Sequence, residues 1–139
     1  MRIISVGALK PPAYRVLVDE YLGRLRHFCS VEEVELRDGP RLATQLDKAS
    51  KDAVRVALEV EGKTWTSRAL ATQLEGWASR GKGIVSFAIG AADGLPQSYR
   101  RDVEWSLSRL TLPHRMAKLV VAEQLYRAMT ILRHVPYDH

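Results

Sequence analysis

The run Ile84-Val85-Ser86-Phe87-Ala88-Ile89 constrains the fold more than any other part of the chain, because it is the most hydrophobic strand candidate and it stops abruptly at Gly90-Ala91-Ala92-Asp93-Gly94-Leu95-Pro96. Strand-like and helix-like stretches alternate on both sides of it, which argues for an α/β layer fold with a largely parallel sheet. Ile3–Val6 is the first strand candidate. Pro11 and Pro12 then lead into a helical stretch to about Arg26, with Val16, Val18, Tyr21, Leu22 and Leu25 near helical spacing. Ser30–Leu36 alternates Val31, Val34 and Leu36 with acids, as a strand at or near a sheet edge does. Arg41–Ala53 reads as a polar helix and Val54–Val60 as a strand ended by the turn-forming Glu61-Gly62-Lys63. Ser67 is the expected N-cap of a helix through Arg80 with Leu70, Leu74 and Trp77 on one side. Pro113 and His114 open the last helix, about His114–Leu132, with Met116, Leu119, Val120, Val121, Leu125 and Ala128 expected mostly inward.

No repeat, low-complexity segment or Gly/Ser-rich linker interrupts the 139 residues, so a single domain spanning 1–139 is expected. No apolar run approaches the roughly 18–20 residues of a membrane span, and the Met1–Gly7 stretch looks like a buried strand rather than a leader. Cys29 is the only cysteine, which leaves no disulfide framework and points to a reducing, cytoplasmic setting. The net charge of +5 suits a polyanionic partner, although a solvated basic surface has the same composition. From Arg100 onward the cations Arg100, Arg101, Arg109, Arg115, Lys118, Arg127 and Arg133 stand against Asp102, Glu104, Glu123 and Asp138.

Three stretches can carry chemistry. A buried strand ending in a Gly-containing loop, here Ile89 to Gly94, is where open α/β sheets bind ligands; taken alone the same loop is a tight connection with Gly94 supplying a turn. It is neither a dinucleotide fingerprint nor a phosphate loop. The segment Ser108-Arg109-Leu110-Thr111-Leu112-Pro113-His114 offers backbone groups and an apolar wall to a flat ring, or is simply a buried connection. Glu123 and Arg127 stand at i, i+4, the spacing of an ordinary helical ion pair. The four histidines and lone cysteine show no metal-ligand spacing, so no metal is expected.

Taken together these stretches resemble the ribosomal RNA large subunit methyltransferase H family. The likeness is carried by Phe87-Ala-Ile-Gly90-Ala-Ala-Asp-Gly94-Leu95, by Trp105-Ser-Leu-Ser-Arg-Leu-Thr-Leu-Pro-His114, by Val121-Ala-Glu-Gln-Leu-Tyr-Arg-Ala128 and by Pro136-Tyr137. The resemblance implies a SPOUT-type α/β fold with a C-terminal trefoil knot, an obligate homodimer, and methyl transfer from S-adenosylmethionine to N3 of a pseudouridine in large-subunit (23S) rRNA, on the ribosome. By family position, Leu58, the loop residues Gly90, Ala91 and Gly94, and Ser108, Arg109, Leu110, Thr111, Leu112 and Pro113 enclose the cofactor. Glu123, Arg127 and Tyr137 belong to the catalytic and RNA-facing side. The chain departs from the family pattern in two places: Ala91 stands where a second Gly is usual, and the tail reads Tyr137-Asp138-His139, so that His139 takes the role of an imidazole normally one place earlier. The alternative from another class is a ribosome-binding or assembly factor that keeps the fold and the cofactor pocket.

Overall fold

A computed structural model describes residues 1–137. The elements follow in the order β1 (Arg2–Val6), α1 (Pro12–Leu25), β2 (Glu32–Leu36), α2 (Leu42–Ala49), β3 (Ala53–Lys63), α3 (Ser67–Ala78), β4 (Ile84–Ile89), β5 (Val103–Trp105) and α4 (His114–Leu132). The strands form one sheet in the order β2-β1-β4-β3-β5, and every pairing is parallel. The apolar β4 run therefore lies at the centre and the acid-interrupted β2 at an edge, where one side can face water.

Alternation along the strands divides the core. Ile3, Val56, Val85, Phe87 and Ile89 pack with α1, α3 and α4, and the face is filled by edge-on aromatic contacts of Trp77 with Phe87 and Phe87 with Trp105. On the other face Ile4, Val6, Ala57 and Ala88 meet Leu42 and Leu46 of α2 together with Leu95 and Tyr99. The Tyr99 hydroxyl, fully buried, is satisfied by Ser50 at 2.7 Å.

Several local expectations change. Glu61-Gly62-Lys63 is not a turn: β3 runs through it to Lys63, which pairs with Trp105 after a register shift. A Cβ on Gly62 would lie 2.7 Å from the backbone carbonyl carbon of Glu104, so Gly62 is needed for close approach of β5 rather than for reversing the chain. The helix after β3 is capped by Thr66, whose hydroxyl accepts the Ala69 N–H at 3.1 Å, with Ser67 one place inside. The second helix stops at Ala49, and Ala53 already belongs to β3. Val16 on α1, and Met116 and Val120 on α4, are exposed rather than inward, while Val18, Leu22, Leu25, Val121, Leu125 and Ala128 are buried. Among the described residues no helix is long and apolar enough to cross a membrane.

Candidate active site

The carboxyl end of β4, the Leu58–Val60 part of β3 and the irregular segment after β5 enclose a cleft of about 430 Å³. Its walls include Leu58, Gly90, Ala91, Gly94, Ser108, Leu110, Thr111, Leu112 and Pro113. Arg109 is the exception within the expected set: its side chain forms an exposed ion pair with Glu61 at 3.3 Å and does not line the cleft.

Local chemistry shapes each wall. After β4 the chain makes a tight loop closed by Gly94 N–H to Ala91 C=O at 2.8 Å, with Gly94 at a φ of +78°. Gly90 has an ordinary φ, but a Cβ there would lie 2.5 Å from the Gly94 carbonyl carbon and 2.8 Å from the Leu95 nitrogen. The loop can fold back on itself only because residue 90 has no side chain. Opposite, the Ser108 hydroxyl accepts the Leu110 N–H at 3.0 Å and the Ser108 carbonyl accepts from the Ser106 hydroxyl at 3.0 Å. This segment is braced by its own side chains, and neither a helix nor a sheet ladder consumes its backbone groups. Pro113 and His114 then start α4; the His114 Nε2 lies 3.1 Å from the Ala8 carbonyl oxygen, which ties the cleft to the turn after β1.

Glu123, Arg127 and Tyr137 form a second assembly. Glu123 Oε2 accepts from Arg127 Nε at 3.1 Å, from Arg127 Nη2 at 2.7 Å and from the Tyr137 hydroxyl at 2.6 Å. Gln124 donates to Glu123 Oε1 at 2.7 Å and itself accepts from the Ser67 hydroxyl at 2.7 Å. The Arg127 guanidinium stacks 4.1 Å from the Tyr137 ring centre, and Tyr137 also packs against Tyr126. Burial works against the Glu123 charge, yet the bonds from Arg127 and Tyr137 outweigh it and hold this carboxyl below its ordinary range. Arg127 is held above its ordinary value mainly by its bond to Glu123. Burial, and then the bond to Glu123, push the Tyr137 phenol upward. At neutral pH the three groups are a carboxylate, a cation and a neutral phenol.

The two assemblies stay apart within one chain. None of Glu123, Arg127 and Tyr137 lines the cleft, and Glu123 sits about 9 Å along α4 from the cleft residue Ala117 and roughly 240° around the axis. His139 and Asp138 lie outside the described residues. No group of three His, Cys, Asp or Glu suited to a metal occurs among the described residues.

Glu59, Trp105 and Ala117 also line the cleft and were not among the expected site residues; His114, at the end of the expected 108–114 segment, lines it too. Sequence reasoning also counted Lys118 only as surface charge. Lys118 is 1% exposed, donates to the Ser5 hydroxyl at 3.0 Å, and pairs with Glu33 and Glu35 of β2. Glu33 is in turn gripped by Arg15 of α1 through two 2.8 Å bonds. The signal that could have found Lys118 is its position one residue beyond Ala117, on a helix whose neighbouring residues are mostly apolar.

A parallel sheet with a ligand-sized cleft beyond its central strands defines a class, and comparison with known proteins gives that class its name. The family described as "Predicted SPOUT methyltransferase" matches residues 1–139. A protein of Sorangium cellulosum named "Ribosomal RNA large subunit methyltransferase H" is 50% identical, covering 100% of both chains. Proteins of the same name from Syntrophomonas wolfei and Polynucleobacter asymbioticus are 40% and 39% identical, covering 98% and 99% of this chain and 97% of each relative. The chain belongs to the ribosomal RNA large subunit methyltransferase H family of SPOUT methyltransferases.

Proposed function

We propose that this chain, as one domain over residues 1–139, methylates N3 of a pseudouridine in large-subunit (23S) rRNA with S-adenosylmethionine as donor. The observation that carries the proposal, beside family membership, is the cleft itself. It lies beyond the carboxyl end of β4, where α/β sheets hold ligands. Its volume suits a nucleoside-sized molecule, and two walls of it are irregular backbone. Leu58, Leu110 and Leu112 would pack on the adenine, while the Gly90–Gly94 loop and the 108–113 segment would offer it backbone donors and acceptors. The bound cofactor supplies an electrophilic methyl group on a cationic sulfur.

The substrate N3–H must give up its proton before that nitrogen can form the new N–C bond. Arg127 is suited to stabilising the imide anion that results, and Glu123 orients the guanidinium. Neither Glu123, ionised and already accepting several hydrogen bonds, nor Tyr137, whose phenol is pushed upward, is suited to take the proton. That task falls to the tail, where His139 supplies an imidazole able to act as a base. Tyr137 offers a ring against which a base can stack.

The separation of Arg127 and Tyr137 from the cleft supports a homodimer, in which one protomer's Arg127 assembly faces its partner's cleft. The exposed Val16 and Leu17 of α1, together with Met116 and Val120 of α4, give two packed helices an apolar outer face suited to such pairing. The same reading includes a C-terminal trefoil knot. It is supported by the path of the chain, which leaves β5 at one sheet edge, shares the cleft walls with the Gly90–Gly94 loop, and returns as α4 against α1 and α3. Basic charge and a ribosomal target agree with the net charge of +5. The test is transfer of labelled methyl from S-adenosylmethionine to ribosomes lacking the modification. Incorporation into 23S rRNA that is lost in Arg127→Ala is expected; ribosome binding with no transfer would favour an assembly factor instead.

A further inference from the structure

Among the described residues that line the cleft, Glu59 is the only acidic one. It stands on β3 one residue beyond Leu58, and because Ala57 pairs with Ala88 of β4, this part of β3 runs alongside Ile89 and Gly90. The Glu59 side chain is 26% exposed and is gripped by Arg101, itself only 12% exposed, through Nη1 to Oε1. Arg101 also donates to the carbonyls of Pro96 at 2.6 Å and Tyr99 at 3.1 Å, and its guanidinium lies 5.6 Å from the Tyr99 ring centre. These bonds hold the chain just after the Gly90–Gly94 loop and fix the side chain of a residue that borders the cleft.

Arg101 uses about one of the roughly four acceptor positions of a carboxylate. The remaining ones suit donors, and the charge balance selects which. With its charge already matched by a nearly buried guanidinium, Glu59 is a poor counter-ion for a second cation and a good acceptor for neutral hydroxyls. Two hydroxyls on adjacent carbons match the two oxygens of a carboxylate, as they do where an acid at a strand end binds a ribose.

We propose that Glu59 is the ribose-reading group of the cleft, accepting hydrogen bonds from a vicinal diol, so that the site takes an adenosine-type ribonucleoside and rejects its deoxy form. This rests on the cleft being the S-adenosylmethionine site. Arg101 acts through Glu59 as a positioning residue. A site built to bond a hydroxyl discriminates against a ligand lacking it, because the carboxylate is then left desolvated and unmet.

The experiment is calorimetric titration of the full-length protein with S-adenosylhomocysteine and with its 2′-deoxyribose analogue. Wild type should bind the ribose form about 10- to 100-fold more tightly. That ratio should fall towards 1 in Glu59→Ala. Glu59→Gln keeps an acceptor for Arg101 and so protects the fold; it should lower the ratio part of the way. The wild-type measurement alone can overturn the assignment: equal affinity for the two ligands removes it and leaves the cofactor cleft standing. An unchanged ratio in folded Glu59→Ala overturns it as well. No binding of S-adenosylhomocysteine by wild type would remove both the cleft's cofactor role and this assignment.

Discussion

Replacing Gly90 by Ala tests how the cleft is built. The added Cβ would sit 2.5 Å from the Gly94 carbonyl carbon, 2.8 Å from the Leu95 nitrogen and 2.9 Å from the Gly94 oxygen. Each atom is backbone, so no side chain can swing aside. The closest contact is roughly 1 Å short of a normal carbon–carbon separation of about 3.5 Å. Because residue 90 has an ordinary φ, none of the cost is torsional; it all comes from pushing 94–95 away from 90. Overpacking of this kind costs about 1–3 kcal/mol. The displaced atoms belong to the cleft wall through Gly90, Ala91 and Gly94, and a 1 Å misplacement of binding groups costs on the order of 100-fold in rate. Gly90→Ala should therefore lower the urea midpoint modestly, weaken S-adenosylhomocysteine binding at least tenfold, and reduce methyl transfer about 100-fold. A folded Gly90→Ala protein with wild-type stability and wild-type affinity would refute the steric argument. Ala91→Gly is the matched control: it adds no atoms, and affinity should hold within a fewfold.

Lys118→Met should cost about 2 kcal/mol in urea unfolding, less than a fully stranded buried charge would, because Glu33 keeps both Arg15 bonds; a double change with Glu33→Gln should cost less than the sum of the singles, and strict additivity would show that the pair is not coupled. The Glu123 carboxyl sits below its ordinary 4.5 in the folded protein, so its contribution is complete above that pH and fades as pH falls through the depressed value. Wild type should thus lose stability below pH 4.5 more steeply than Glu123→Gln, and superimposable acid unfolding curves would contradict the ion-pair geometry. In Glu123→Gln the rate of transfer should fall with cofactor affinity unchanged, since Glu123 does not line the cleft; a change in affinity alone would argue against the assigned role.

The layer architecture was legible because it depends on short-range pattern. The Ile84–Ile89 run, the edge-like acids of β2 and the boundaries of the last helix follow from hydrophobicity and from Pro and Gly placement. What escaped depends on contacts between distant segments. Gly62 has the composition of a turn, and only the arrival of Glu104 and Trp105 beside it makes it a strand residue. Val16, Met116 and Val120 fit a helical apolar stripe, but that stripe is wider than the face the sheet covers. The cleft residues Leu58, Gly90, Ser108 and Leu110–Pro113 were expected from family likeness, not periodicity; the same likeness carried Arg109 along, whose side chain turns to Glu61. Glu59 and Lys118 look like solvated charges in the sequence. Their partners Arg101 and Glu33 are far from them along the chain, so no local pattern could mark them.

The most direct test of the central claim is mass mapping of 23S rRNA nucleotides from cells with the gene, cells lacking it, and cells carrying Arg127→Ala. One pseudouridine bearing a methyl group on N3 is expected in the first, and the same pseudouridine unmethylated in the other two. Identical modification maps in all three would contradict it.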